Sequence, residues 1–181
     1  MLWWRTALFA VLVPGTELVL IPLAVVLLDL GPRLDLGPAR YAGLVPVLAG
    51  LVLILRCFAD FVRRGRGTPA PYDPPRELVV AGLYRYVRNP QYVGVVLVIV
   101  GEALLTGAAA LFGYAAVMAV GYHLFVRYYE EPTLGRLFGE AYTRYRGTVP
   151  RWRPRWPGRI LPGTRPRRRI GVSGSPSPRG R

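Results

Sequence analysis

Apolar residues in this chain are gathered into long blocks, and polar or basic segments separate those blocks. Blocks long enough to cross the hydrocarbon core of a bilayer lie at about residues 8–30, 42–61, 91–106 and 108–128. The last two are joined by a turn at Thr106-Gly107, so they should form a tight helical hairpin. The first contains Pro14, Glu17 and Pro22, which favour a kink. The pattern predicts an all-α integral membrane protein with four spanning helices.

A shorter helix is predicted after the last span. Over residues 133–146, apolar and aromatic side chains recur at helical spacing, with charged residues elsewhere on the wheel. From about residue 158 the chain is Pro, Gly, Ser and Arg with almost no apolar content, which is typical of disorder. The sequence therefore predicts a membrane domain over residues 1–157, with an amphipathic helix after the last span, and a disordered Arg-rich tail over residues 158–181.

Charge gives the predicted orientation of the chain in the membrane. The loop from Val62 to Pro90 and the region after Arg127 are strongly basic, whereas Gly31 to Arg40 balances its arginines with acids. Because basic loops stay on the cytosolic side, this distribution predicts a multi-pass protein with both termini in the cytosol. The arginines of the tail should contact anionic lipid headgroups.

Composition also excludes some classes of function. A net charge of +14 is compatible with nucleic-acid binding, but a nucleic-acid module does not need four apolar blocks of hydrocarbon length. We therefore expect the lipid bilayer, and not nucleic acid, as the partner. The single cysteine, Cys57, allows neither a disulfide within the chain nor a multi-cysteine metal site, and no metal is predicted.

Two polar motifs lie at the predicted cytosolic end of the hairpin. The first runs from Gly82 to Gly94 into the third helix, and the second, from Arg127 to Glu131, leaves the fourth. Because the two ends of a hairpin lie side by side, Asn89 to Gly94 should lie next to Glu130-Glu131. The N–H groups of a helix start and two carboxylates at a helix end would complement a ligand that carries both a carboxylate and cationic groups.

Taken in order, these residues resemble the isoprenylcysteine carboxyl methyltransferase and phospholipid methyltransferase superfamily. Its signature is G-x-Y-x-x-x-R-H-P-x-Y-x-G followed by a Glu-Glu pair, and this chain departs from it at Asn89, where the family usually has His. The likeness continues to Val149-Pro150-Arg151 and covers about Gly82 to Pro154. It implies S-adenosylmethionine as cofactor, with these contacts: Asn89, Tyr92, Gly94, Glu130 and Glu131.

The resemblance also implies the reaction, which is S-adenosylmethionine-dependent methyl transfer to a lipid-like or isoprenoid-type acceptor at the cytosolic membrane face. An anionic acceptor needs a cation beside it, and the candidate catalytic residues are Arg88, Arg144 and Arg151. The sequence shows no evident general base. Two alternatives stay open: a catalytically inactive scaffold or partner protein with the same fold, which Asn89 favours, and a related multi-helix membrane reductase.

Several of these residues also have simpler structural interpretations. Asn89-Pro90 is a good helix start without any ligand, since Asn is a favoured N-cap and Pro a favoured first residue. The Glu130-Glu131 pair could be neutralised by Arg127 or Arg136. Glu17 and Glu102, inside apolar blocks, should face the bundle or lie near its ends, because a carboxylate in contact with lipid is costly.

Overall fold

The computed structural model describes residues 13–60, 78 and 80–155. The predictions for the first residues of the chain, for most of the basic Val62–Pro90 loop and for the tail over residues 158–181 lie outside this range. Within the described residues the structure is helical, and its strand-like pairing is one isolated bridge between Arg33 and Ala108. The predicted all-α class is confirmed for this part of the chain.

The bundle consists of four apolar helices, labelled here in chain order: α1 (Val13–Leu27), α2 (Gly37–Asp60), α3 (Pro90–Thr106) and α4 (Ala109–Phe138). A short helix, α5 (Glu140–Thr148), follows α4, and a 3₁₀ turn over Gly82–Arg85 precedes α3. The first turns of α2, over Gly37–Gly43, are also 3₁₀. The sequence predicts that this helix begins near residue 42, whereas the structure begins it at Gly37.

Two of the helices in the described part of the chain are long and apolar enough to cross a membrane. These are α2 with 24 residues and α4 with 30 residues, whereas α1 and α3 are shorter apolar helices. Large apolar side chains on the outside of the bundle are well exposed, for example Leu55 at 66% and Val117 at 67%. An apolar exterior is what a hydrocarbon solvent requires. A count of four spans stays a prediction.

Helix α4 is longer than the sequence predicts. It continues through Glu130-Glu131 to Phe138, so the predicted position of this acidic pair at a helix end is wrong. The pair lies where a π-helical segment, Val126–Glu130, meets the next α-helical turn. The wider π turn lets the helix continue past Pro132, which has no N–H and whose ring crowds the carbonyl four residues earlier.

The single amphipathic helix predicted over residues 133–146 is also wrong. Gly139 has a positive φ of 53° and divides this stretch between the end of α4 and α5. A left-handed backbone at this point ends one helix and turns the chain before the next begins. As a result α5 packs back on the site side of the bundle, with Tyr142 and Tyr145 buried against Leu134 and Phe138.

Helices α2 and α3 form the most extensive helix pair in the described structure. Their contact is built on glycines: a Cβ at Gly94 would lie 2.9 Å from the Gly50 carbonyl oxygen, and one at Gly101 would lie 2.6 Å from that of Gly43. Small residues at such crossings let two helix backbones approach closely. This pair is the rigid part of the fold.

The hairpin of α3 and α4 turns at Gly107, which has a φ of +69° and ends α3. The turn is tied to the loop after α1, because the N–H of Leu34 donates to the Gly107 carbonyl at 2.7 Å. Below the turn, Ile99 of α3 and Leu111 of α4 are fully buried. The hairpin therefore brings the start of α3 beside the π-helical part of α4.

Candidate active site

The polar end of the hairpin holds both sequence motifs together, as predicted. The hydroxyl of Tyr92 donates to Glu130 Oε2 at 3.1 Å, and Arg88 Nη1 donates to Glu131 Oε1 at 2.9 Å. Glu130 ends the π-helical segment of α4 and Glu131 begins the α-helical turn after it, while Arg88 precedes α3 and Tyr92 lies in its first turn. The predicted contact between the two motifs is confirmed.

Glu131 is held by two arginines. Arg151 reaches it with both ends of its planar guanidinium, Nε to Oε1 at 2.6 Å and Nη2 to Oε2 at 2.9 Å, and Arg88 binds Oε1 as well. Such a bidentate pair is among the stronger charge-assisted contacts in proteins, and the hydrogen bond with Glu131 raises the pKa of Arg151. The expected pairing with Arg127 or Arg136 is wrong, because the described Glu131 is paired with Arg88 and Arg151.

A segment after α5, Val149–Arg155, crosses the start of α3, and we call it the C-terminal strap. Its backbone pairs with the first motif: the N–H of Arg88 donates to the Pro150 carbonyl and the N–H of Arg155 to the Tyr86 carbonyl, each at 3.0 Å. The Asn89 amide donates to the Arg151 carbonyl at 3.2 Å. Asn89 occupies the N-cap position directly before Pro90, as the simpler interpretation predicts, but its side chain makes no capping hydrogen bond to α3.

Helix α5 contacts the first motif through two buried tyrosines. The Tyr145 hydroxyl donates to the Tyr84 carbonyl at 2.7 Å, and Tyr142 lies with its hydroxyl 3.4 Å from Arg88 Nη1. Burial of Tyr145 raises the pKa of its phenol, so it stays a neutral donor. Tyr142 and Tyr145 of α5 thus hold the first motif in place.

An apolar cavity of about 350 Å³ lies beside this cluster, between α3, α4 and the strap. Its walls carry two pairs of rings. Tyr92 of α3 stacks on Tyr122 of α4 with centroids 4.4 Å apart, and the indole N–H of Trp152 in the strap donates to His123 Nδ1 of α4 at 3.1 Å. The remaining lining is aliphatic and comprises Val93, Val96, Leu97 and Ala119. Tyr92 belongs both to the cavity wall and to the polar cluster.

A third carboxylate stands behind the cavity. Glu17 of α1 accepts a hydrogen bond from the Tyr122 hydroxyl at 2.7 Å, and its backbone carbonyl accepts one from the Tyr114 hydroxyl at 3.2 Å. The expectation that Glu17 faces the bundle is confirmed. Tyr122 and Trp152 are parts of the site that the sequence did not predict. The signal for Tyr122 was its place among aromatic residues at helical spacing on α4, and Trp152, which lies in the C-terminal strap, had no comparable signal.

Two of the predicted site residues lie elsewhere. Arg144 is on the surface, with its side chain 72% exposed and 3.8 Å from Glu140, away from the pairing around Glu131. Gly94 is buried against Gly50 of α2, where it has a packing role. The structure gives these two positions no support as ligand contacts, and their predicted roles stay predictions. The predicted residues that do come together are Arg88, Asn89, Tyr92, Glu130, Glu131 and Arg151.

The fold and the site define a helical protein with an apolar exterior and a polar cluster beside an apolar cavity. A family model described as phospholipid methyltransferase matches residues 39–141. Because the match covers more than half of the chain, this protein belongs to the phospholipid methyltransferase family, a family of membrane methyltransferases. The resemblance of the sequence motifs is confirmed. Neither a search of curated proteins nor a search of solved structures gave a match.

Proposed function

We propose that this protein transfers the methyl group of S-adenosylmethionine to a lipid-like or isoprenoid-type acceptor at the cytosolic membrane face. Family membership supports methyl transfer, and methyltransferases of this family typically use S-adenosylmethionine. The observation that carries the proposal is the position of Tyr92. Its hydroxyl joins the polar cluster through Glu130 while its ring lines the apolar cavity, so a polar donor and an apolar acceptor would meet there.

The polar cluster fits the polar groups of this cofactor. Within the described residues, Arg88 Nε is buried and has no hydrogen-bond partner, which suits a carboxylate oxygen. Glu130 receives one hydrogen bond, from Tyr92, and a carboxylate can accept several more from an ammonium group or ribose hydroxyls. Asn89, Tyr92, Glu130 and Glu131 would hold the cofactor, which supplies a methyl group activated by a sulfonium sulfur when bound.

The remaining task of the protein is positioning and exclusion of water. Trp152 and the stacked Tyr92 and Tyr122 line the apolar cavity next to the cluster, and an apolar acceptor that fills it would displace water from the reacting atoms. Arg88 and Arg151 both pair with Glu131, so two guanidinium groups lie side by side at this end of α3. Asn89 keeps the C-terminal strap against α3. In this interpretation Asn89 positions Arg151 and does not titrate.

We also propose that all four helices cross the membrane and that both termini are cytosolic. The start of α3 and the site-side end of α4 carry the arginines of both motifs, which favours the cytosol for this end of the hairpin. The basic tail over residues 158–181 would then lie against anionic headgroups. Accessibility labelling of single cysteines placed in the Gly31–Arg40 loop and near Arg155 tests this orientation in sealed vesicles.

The function is tested by binding of S-adenosylhomocysteine to protein purified in detergent. We expect Glu130→Gln and Glu131→Gln to weaken binding at least tenfold, since a hydrogen bond to a charged group contributes about 1.5–3 kcal/mol. The matched control is Glu140→Gln, because Glu140 is exposed on α5 and pairs only with the exposed Arg144 among the described residues. Absence of binding by the wild type at millimolar ligand would refute the proposal and leave the inactive scaffold as the better interpretation.

Acceptor identity requires a second measurement. Incubation of the wild type with lipid extracts and S-adenosylmethionine carrying a radiolabelled methyl group should place label in a lipid fraction. The same measurement on an Asn89→His variant tests whether the residue usual in the family raises the rate of methyl transfer. If binding is seen but no lipid is labelled, the acceptor is not lipid-like and that part of the proposal fails.

A further inference from the structure

Two glutamates each accept a hydrogen bond from a tyrosine whose ring lines the cavity. Glu130 lies in the π-helical segment of α4 and accepts a hydrogen bond from Tyr92, whereas Glu17 lies in the π-helical segment of α1, Thr16–Leu20, and accepts one from Tyr122. The two tyrosine rings are stacked on each other. π-Helical turns inside α-helices are rare and frequently occur at functional sites.

The first glutamate belongs to the proposed cofactor cluster, but the second has no role in it. Glu17 lies before the region matched by the family model, and no sequence motif includes it. Around it lie Tyr114 and Tyr122 of α4, with Tyr92 of α3 beyond Tyr122. Glu102 of α3 lies near Tyr114, and no cation contacts Glu17 among the described residues. Among the described residues, the carboxylate of Glu17 has the Tyr122 hydroxyl as its hydrogen-bond partner.

Methyl transfer to an amine, thiol or hydroxyl releases a proton, and a basic group close to the reacting atoms is needed to take it. The other polar groups beside the cavity are already engaged. His123 Nδ1 accepts the Trp152 N–H, and Glu130 accepts Tyr92 inside the cofactor cluster. Tyr92 and Tyr122 both line the cavity and both donate their hydroxyl proton to a carboxylate. Glu130 belongs to the proposed cofactor cluster and Glu17 does not, so Tyr122 and Glu17 are the pair left to serve the acceptor, and the Tyr122 oxygen keeps lone pairs that can accept a proton.

We propose that Glu17 is the final proton acceptor of the reaction and that Tyr122 relays the proton to it. This inference rests on the proposed methyl transfer. The acceptor gives its proton to the Tyr122 oxygen as its lone pair forms the new bond to the methyl carbon, and Tyr122 gives its own phenolic proton to Glu17. The electron pair of the broken carbon–sulfur bond stays on the sulfur, so charge and atoms balance.

The relay is separated from a structural role by Glu17→Gln. The glutamine oxygen still accepts the Tyr122 hydrogen bond, but an amide does not take up a proton. With vesicles of phosphatidylethanolamine, whose ammonium must lose a proton, we expect a rate loss of about 10². The wild-type rate should rise with pH to a plateau that the variant lacks. Glu102→Gln, which removes another intramembrane carboxylate, should keep both the wild-type rate and the plateau.

A second acceptor and a second variant make the test decisive. Transfer to N-acetyl-S-farnesylcysteine, whose amine is blocked and whose carboxylate has no proton to lose, should be equal in wild type and Glu17→Gln. Tyr122→Phe keeps the ring against Tyr92 and should lose the phosphatidylethanolamine reaction to the same extent as Glu17→Gln. Wild-type transfer to N-acetyl-S-farnesylcysteine alone would overturn the proposal, because such a reaction needs no relay.

Binding distinguishes failure of the relay from failure of the proposed function. S-adenosylhomocysteine affinity and melting temperature of Glu17→Gln should match those of the wild type, since the cofactor cluster and the bundle contact are both kept. If the wild type does not bind this ligand, the methyltransferase proposal is wrong. If it binds and Glu17→Gln keeps the wild-type rate and pH profile on phosphatidylethanolamine, only the relay is wrong.

Discussion

Helix α3 has two faces that are built in opposite ways. The face toward α2 carries Gly94 and Gly101, which bring the two backbones so close that no side chain fits between them. The face toward α4 carries Tyr92, Val93, Val96 and Leu97 around an open cavity. One helix therefore has a fixed side and a side that leaves space.

The difference shows how a small membrane protein can hold a site rigidly and still leave room for an acceptor. Without a hydrophobic driving force between helices in lipid, close packing has to supply the stability of the bundle. The close α2–α3 contact supplies this stability. The space between α3 and α4 therefore need not be filled with side chains. Polar contacts at the end of α3, through Arg88, Glu131 and Arg151, close the open side.

The strongest way to break this arrangement is to place a side chain in the packed face. In Gly101→Leu the new Cβ would lie 2.5 Å from Val47 Cγ2 and 2.6 Å from the Gly43 carbonyl, and backbone cannot move aside. We expect a loss of at least about 3 kcal/mol of stability, the upper end of the overpacking range. Thermal unfolding in detergent measures it. Gly113→Leu on α4, where nothing lies within 4 Å, is the control and should melt like the wild type.

The next largest effect is expected at the polar end of the open face. Glu131→Ala leaves Arg88, whose side chain is 10% exposed, without its counter-charge. Breaking a buried pair costs about 3–5 kcal/mol, and we expect the lower end because Arg151 is partly exposed. The loss is measured as a change in the free energy of unfolding, and Glu140→Ala should change that free energy by less than about 0.5 kcal/mol. Equal effects of the two variants would show that the cluster contributes nothing to stability.

The packed and open faces differed in how far the sequence could predict them. The hairpin and the contact between Asn89–Gly94 and Glu130-Glu131 follow from block lengths and a turn at Gly107, because neighbouring helix ends must meet. The pairing of Glu131 with Arg88 and Arg151 was not predicted, since the sequence offered Arg127 and Arg136 as its neighbours. The paired glycines Gly50 and Gly94 were interpretable only after the two helices were seen side by side.

The remainder depends on features that periodicity does not carry. A π-helical turn shifts the register of every following residue, so the continuation of α4 past Glu131 could not be predicted from spacing. Asn89 occupies the N-cap position of α3, but its side-chain amide donates to the Arg151 carbonyl, 62 residues away. Glu17 pairs with Tyr122 across the bundle, at a separation of 105 residues. Long-range polar contacts of this kind have no local signal.

The open face itself can be tested by filling it. Val96→Phe places a ring in a cavity of about 350 Å³ without touching the polar cluster. We expect labelled-methyl transfer to lipid extracts to fall at least tenfold, while S-adenosylhomocysteine affinity and melting temperature stay within error. Val117→Phe, on the exposed side of α4, is the matched control. If Val96→Phe transfers methyl groups at the wild-type rate, the cavity is not the acceptor site.

The smallest expected effect concerns the contact between the C-terminal strap and α4. Trp152→Phe keeps an aromatic ring over the cavity but removes the hydrogen bond to His123. One hydrogen bond contributes about 1 kcal/mol, which corresponds to roughly 2–4 °C in melting temperature for a chain of this size. His123→Phe should cost about as much, and the double variant no more than either single one. Additive losses would contradict the pairing, because they would mean that the two side chains contribute separately to the open face.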